Sequence, residues 1–222
     1  MLSKPRPNAI YNRRIFGLSV ILVLAVLSGC GGERFDSVRN LGSAGETIVC
    51  FGDSLTEGVG AGSGEDYPTV LSRELMMPVV NAGRRGDTTA RALERISASV
   101  MDKNPRLVIV LLGGNDFLRQ VPLQDTRRNL VEIVRRIQEH GAMVAIAGLS
   151  LGLFTDQYSP IFEETATALG ALYISHVAKG IFNDSKLRSD SIHPNGAGYR
   201  LIAERIAEKI KPLLEEADRA RR

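Results

Sequence analysis

The chain has 222 residues, 44% of them hydrophobic, with 28 basic and 25 acidic side chains. Its length suits one domain with a sizeable core and is too short for two ordinary ones, and two cysteines exclude a disulfide scaffold. The formal net charge of +3 is concentrated at one end: Lys4, Arg6, Arg13 and Arg14 form a basic leader with no acidic residue before position 30. Removing those four charges takes the net charge from +3 to −1, so the basic balance belongs to the leader and does not point to nucleic acid.

The apolar stretch that follows, Ile15 to Leu27, is shorter than the about 20 residues a spanning helix needs and matches the core of a secretory signal. It ends in Leu27-Ser28-Gly29-Cys30, small residues preceding a cysteine. This resembles the bacterial lipobox, which implies residues 1–29 as a lipoprotein signal peptide and Cys30 as the lipidated first residue of the mature chain. The expected location is the bacterial cell envelope, on the periplasmic or extracellular face. An uncleaved N-terminal anchor helix is the alternative, and it too leaves the domain outside the cytoplasm. Residues 31–46, rich in glycine, serine and charge, read as a flexible linker spanning roughly 20 Å.

Strands and helices then alternate. Thr47 to Phe51 is a β-branched and aromatic run ending at Gly52 and reads as a buried strand. It contains Cys50, read as a small core residue. Pro68 to Met77 has helical spacing, Val79-Val80 begins a second strand, and Thr88 to Met101 carries Ala92, Leu93, Ile96 and Val100 on one helical face. Leu107 to Leu112 is a continuous apolar strand. Leu123 to His140 is an amphipathic helix whose basic outer face reads as solvated, closed by Gly141. Ala142 to Ala147 is a fourth strand, Ser159 to Leu169 a helix, Ala171 to Ile174 a fifth strand, and Asn195 to Leu214 a final helix. Residues 47–215 are the expected domain and 216–222 a charged, frayed tail. Apolar strands alternating with amphipathic helices predict a three-layer α/β/α sandwich around a five-stranded, mostly parallel sheet.

In such a sheet the loops after the strands leave from one edge. Here they deliver Ser54 after the first strand, Gly83 and Gly86 after the second, Asn115 after the third, and Asp190 with His193 before the last helix. Each has an everyday use: positive φ at the glycines, an Asx turn or helix cap at Asn115-Asp116, a turn at Asp190, a cap at Asn195. Together they suit acyl transfer. Ser54 is the candidate nucleophile, and His193 its base, because His140 ends a surface helix and His176 has no carboxylate near it in sequence. Asp190, three residues before His193, is placed to orient the imidazole. The N–H groups of Ser54 and Gly86 and the amide of Asn115 are candidate oxyanion donors.

Gly52-Asp53-Ser54-Leu55, Gly86-Asp87-Thr88, Gly113-Gly114-Asn115-Asp116 and Asp190-x-x-His193 resemble, in order, the four motifs of the SGNH (GDSL-type) hydrolases. The wider stretches Ile48 to Leu55, Val80 to Gly83 and Ile192 to Asn195 are most similar to the bacterial thioesterase, arylesterase and lysophospholipase group. The pattern is distinct from the Gly-x-Ser-x-Gly elbow of α/β-hydrolases. The resemblance implies a flavodoxin-like sandwich, a Ser54–His193–Asp190 triad, and Ser54, Gly86 and Asn115 as oxyanion donors. It also implies no metal or cofactor and a monomer acting on small or lipidic acyl esters, thioesters or lysophospholipids. The loop from Gly148 to Phe154 departs from the group: it is apolar and lacks an arginine-containing stretch found in some lysophospholipase-type members. Leu151, Leu153 and Phe154 read either as the wall of an acyl groove or as loop packing. Deacetylation of an envelope glycan or other acylated carbohydrate is a second catalytic reading. A non-catalytic envelope-binding lipoprotein is a third.

Overall fold

The computed structural model describes Met1 and residues 35–149 and 158–222. Cys30, the signal sequence, and the loop residues Leu151, Leu153 and Phe154 lie outside the described residues. The sheet comprises β1 (Thr47–Gly52), β2 (Val79–Gly83), β3 (Pro105–Leu111), β4 (Met143–Ala147) and β5 (Leu172–Ile174). All strand pairs are parallel, in the order β2-β1-β3-β4-β5. β1, β3 and β4 are buried almost throughout, as continuous apolar runs demand when both faces of a sheet are covered.

Two layers of helices cover it. On one face α2 (Tyr67–Leu75) and α8 (Gly196–Ala220) pack on Ile48, Cys50, Leu107 and Ile109 through Tyr67, Leu71, Tyr199, Ile202 and Ile206. On the other, α3 (Thr89–Glu94), α4 (Ile96–Ser99), α6 (Leu123–Glu139) and α7 (Ser159–Leu169) cover Val49, Phe51, Val108 and Val110. The inward residues of α6, Leu130, Ile133, Val134 and Ile137, recur at helical spacing and are fully buried. This is the three-layer α/β/α sandwich expected from the sequence. Among the described residues no helix is long and apolar enough to cross a membrane.

Four elements differ from expectation. β2 continues through Asn81, Ala82 and Gly83, pairing Gly83 with Gly52. These residues disguise a strand in sequence, yet a Cβ at Gly83 would lie 2.1 Å from the Glu57 nitrogen, so only glycine fits. The helix expected over Thr88 to Met101 breaks at Arg95, which leaves helical geometry at φ −108° and ψ 6°. Its guanidinium turns to Asp87 and to the carbonyls of Gly52 and Ala82.

The other two differences lie at the ends of the domain. From Phe35 onward the expected linker is packed: Phe35 and Val38 are buried, and the Arg39 N–H donates to Gly170 O at 2.9 Å. The tail expected to fray is the last turns of α8, where Ala217 is fully buried and Arg106 pairs with Asp218 at 2.6 Å. Arg221 donates to the carbonyls of Ser43 and Gly45, the latter at 2.7 Å. Polar composition hid both segments, because their hydrogen bonds go to backbone carbonyls that no sequence pattern displays.

Candidate active site

β1 ends at Gly52, where a Cβ would lie 2.0 Å from Thr56 Oγ1 and 2.5 Å from Leu111 O. That close approach lets the chain turn at once into α1 (Ser54–Glu57), with Asp53 as its cap: Asp53 Oδ1 accepts the Leu55 N–H at 3.0 Å. Ser54 therefore opens a short helix at the C-terminal edge of the sheet. Tyr199 of α8 donates to Val59 O at 2.8 Å and holds the chain beyond α1 in place.

The loop Asp190–His193 is built around one carboxylate. Asp190 Oδ1 accepts the N–H groups of Ile192 and His193, both at 2.8 Å, while Oδ2 lies 2.8 Å from His193 Nδ1. The His193 hydrogen bond, then that of Ile192, holds the Asp190 carboxyl below the ordinary aspartate range although its side chain is 53% exposed. An ionised Asp190 fixes the proton on Nδ1, leaving Nε2 as an acceptor. His193 Nε2 lies 3.1 Å from Ser54 Oγ. Asn195 caps α8 through the Gly198 N–H at 3.1 Å, so that residue serves the turn and not the chemistry.

Asn115 sits in α5 (Gly114–Leu118), whose N-cap is Gly113 at φ 107°. The Asn115 side chain is therefore not a helix cap. Its Nδ2 donates to Asp53 Oδ2 at 3.2 Å and to Asp87 O at 3.0 Å. Gly86 takes φ 78°, a conformation open to glycine, and its carbonyl accepts from Arg119 at 3.0 Å. Gly83 lies within β2, paired with Gly52, and does not line the cleft that this group shares. Ser54, Gly86, Asn115 and His193 line one cleft of about 360 Å³ with Asp53, Leu55, Val59, Arg85, Gly114, Leu118, Leu149 and Ile192. Three candidate oxyanion donors and the serine–histidine pair thus share one concavity.

Sequence reasoning passed over the acids beneath it. Asp53, Asp87 and Asp116 are all at most 2% exposed. Asp87 pairs with Arg95 at 2.6 Å. Asp116 accepts from the Thr89 N–H, Thr89 Oγ1 and Thr126 Oγ1, tying α5 to α3 and α6. Asp53 has no cation in hydrogen-bond contact among the described residues, and burial pushes its carboxyl up to about 6. Cys50 is fully buried and burial drives its thiol far upward, so it is an inert core residue.

The chain is similar over this whole region to known hydrolases. It is 28% identical over 186 residues to the esterase TesA of Pseudomonas aeruginosa, covering 78% of this chain and 91% of that one. It is 27% identical over 180 residues to the thioesterase 1/protease 1/lysophospholipase L1 of Escherichia coli, covering 78% and 86%. The crystal structure of the psychrotrophic esterase EstA from a Pseudoalteromonas species superposes with a TM-score of 0.68 at 26% identity, over 77% of this chain and 99% of that one. Residues 50–201, which hold every cleft residue from Asp53 to His193, match the family profile of the GDSL-like lipases and acylhydrolases. The chain belongs to that family and is an esterase-type hydrolase of the SGNH fold.

Proposed function

We propose that the chain is a lipid-anchored serine ester hydrolase, with Ser54 as nucleophile, His193 as general base and acid, and Asp190 as the group that orients His193. The unbroken relay from Asp190 Oδ2 through His193 to Ser54 Oγ, at 2.8 and 3.1 Å, carries this reading. In the first half-reaction Ser54 Oγ attacks the ester carbonyl carbon while its proton passes to His193 Nε2. The carbonyl π electrons move onto oxygen, and the N–H groups of Ser54 and Gly86 with the Asn115 amide hold that oxyanion. Collapse breaks the bond to the leaving oxygen or sulfur, which takes the proton from His193. Water then attacks acyl-Ser54 with His193 again as base, releasing the carboxylic acid and restoring the serine.

Leu55, Val59, Leu118, Leu149 and Ile192 give the cleft an apolar lining that favours an acyl chain over a free sugar. The relatives named esterase and thioesterase support the same reaction class. Lipid attachment rests on the sequence around Cys30, five positions before Phe35, which is buried.

Ser54→Ala is expected to abolish hydrolysis of p-nitrophenyl butyrate and labelling by a fluorophosphonate, with unchanged melting temperature; retained turnover would refute the mechanism. A panel of acyl lengths that includes acetylated glycans distinguishes an acyl esterase from a carbohydrate deacetylase. Incorporation of labelled palmitate into the wild type, and its loss in Cys30→Ser, tests the anchor separately.

A further inference from the structure

Asp53 is the buried acid that the serine chemistry leaves unassigned. Its two oxygens do different things: Oδ1 caps the turn carrying Ser54 through the Leu55 N–H at 3.0 Å, and Oδ2 accepts from Asn115 Nδ2 at 3.2 Å. Asn115 Nδ2 also donates to Asp87 O at 3.0 Å, so acceptors on two sides fix the amide nitrogen and engage both of its hydrogens at rest, one of which a developing oxyanion must come to share. The terminal torsion of an asparagine is broad and nearly two-fold, and its oxygen and nitrogen are similar in size. An amide freed from these acceptors would turn its oxygen toward the cleft for part of the time. It would then place an acceptor where an oxyanion needs a donor. The Asp53 carboxylate also links the ends of β1 and β3, and so holds Asn115 in register with the Ser54 N–H.

We propose that Asp53 is a positioning residue for the oxyanion site, acting through Asn115 by keeping the amide nitrogen of that side chain facing the cleft. The proposal rests on the reading of Asn115 as an oxyanion donor. The capping and positioning roles use different oxygens, so substitution separates them. Asp53→Ser keeps a capping oxygen for the Leu55 N–H and is too short to reach Asn115. Asp53→Asn keeps the volume but must surrender one of the two contacts, because its amide offers one oxygen.

The experiment is a double-mutant cycle of Asp53→Ser with Asn115→Ala, read as kcat and KM for p-nitrophenyl butyrate and accompanied by melting curves. Asn115→Ala is expected to lower kcat about 100- to 1,000-fold, the usual cost of one oxyanion donor. Asp53→Ser is expected to lower kcat about 10- to 100-fold with KM within about threefold, since the lost interaction is made in the transition state. The double variant should fall no further than about threefold below Asn115→Ala, because a group that acts through Asn115 has nothing left to act on. If Asp53→Ser does not fold, Asp53→Thr, which also keeps a capping oxygen and is too short to reach Asn115, enters the same cycle with the same expectation. An unchanged kcat in the Asp53 variant, a loss confined to KM, or a full additional loss in the double variant overturns the proposal. Should Asn115→Ala itself retain full kcat, the oxyanion reading fails and takes the proposal with it. An impaired Asn115→Ala with an additive Asp53 effect defeats the positioning role alone.

Discussion

At the N-terminal edge of the sheet, Asn40 donates its amide hydrogens to the carbonyls of Gln138 and Ala142 at 2.7 and 3.0 Å. At the C-terminal edge, Asn115 donates its own to Asp53 Oδ2 and Asp87 O at 3.2 and 3.0 Å. The residue type and the number of contacts are the same, but the surroundings differ. Asn40 belongs to a strap laid over the ends of α6 and α7 and the starts of β3 and β4, closed further by Arg221 on Gly45 O. Asn115 faces an open cleft across which lie a serine and a histidine. Cations and backbone carbonyls satisfy one edge, while the other collects three buried aspartates, of which Asp87 alone pairs with Arg95 among the described residues. The first arrangement fastens the fold. The second holds its amide at the wall of a cleft, where negative charge develops only during reaction, at a cost in stability.

Substitutions at the two edges should therefore fail in different ways. The largest effect is expected at Asp190→Asn, which removes the negative charge that fixes the His193 tautomer. It should lower kcat about 1,000-fold or more and barely move the melting temperature, because the side chain is half exposed. A near-normal kcat would show that another group orients His193. Asn40→Ala should do the reverse. Leaving the Gln138 and Ala142 carbonyls without their donor is expected to cost about 1–3 kcal/mol in urea unfolding, with kcat/KM unchanged. A loss of turnover in the folded variant would mean that the two edges are coupled.

The two edges also differed in how far they could be read in advance. Ser54, Gly86, Asn115, Asp190 and His193 were legible because loop residues with special chemistry follow apolar strands, and parallel topology sends those loops to one edge. The strap was not legible. Phe35 and Val38 are isolated apolar residues among polar ones, and the amide contacts of Asn40 reach carbonyls about a hundred positions away. Helix periodicity located α6 to within a residue, yet missed the break at Arg95, which serves the tertiary contacts of one guanidinium. Asp53, Asp87 and Asp116 appeared as motif letters without a role, since burial of an acid depends on packing from several elements.

The aspartates supply a smaller test of the same contrast. Burial raises Asp53 to about 6, above the about 3.9 of an unfolded chain. Between those values the native state holds more protons than the unfolded one, so this group makes the fold more stable as pH falls from 7.5 through 6 toward 4. Relative to Asp53→Ser, which lacks the titration, the wild type should gain about 1 kcal/mol between pH 7.5 and pH 5. Asp116 and His193, the titratable neighbours of Asp53, remain in both proteins. A difference that stays flat with pH would remove the buried charge from the account of this edge.

The smallest effect is expected at the mouth of the cleft. Leu118 and Ile192 are 51% and 43% exposed, and the other exposed large apolar side chains among the described residues are Met1 and Met76. Two of the four thus flank the cleft, where an acyl chain would cover them. Replacing both with serine removes apolar surface that the free protein leaves largely in water, so the melting temperature should not change. Contact with the acyl chain is made equally in the ground and transition states, which places the loss in KM and not in kcat. At about 0.8 kcal/mol per buried methylene, KM for p-nitrophenyl butyrate should rise about 3- to 10-fold while that for the acetate barely moves. Equal effects on both esters would place the acyl chain elsewhere in the cleft, and a fall in stability would make these residues part of the packing, like those beneath the strap.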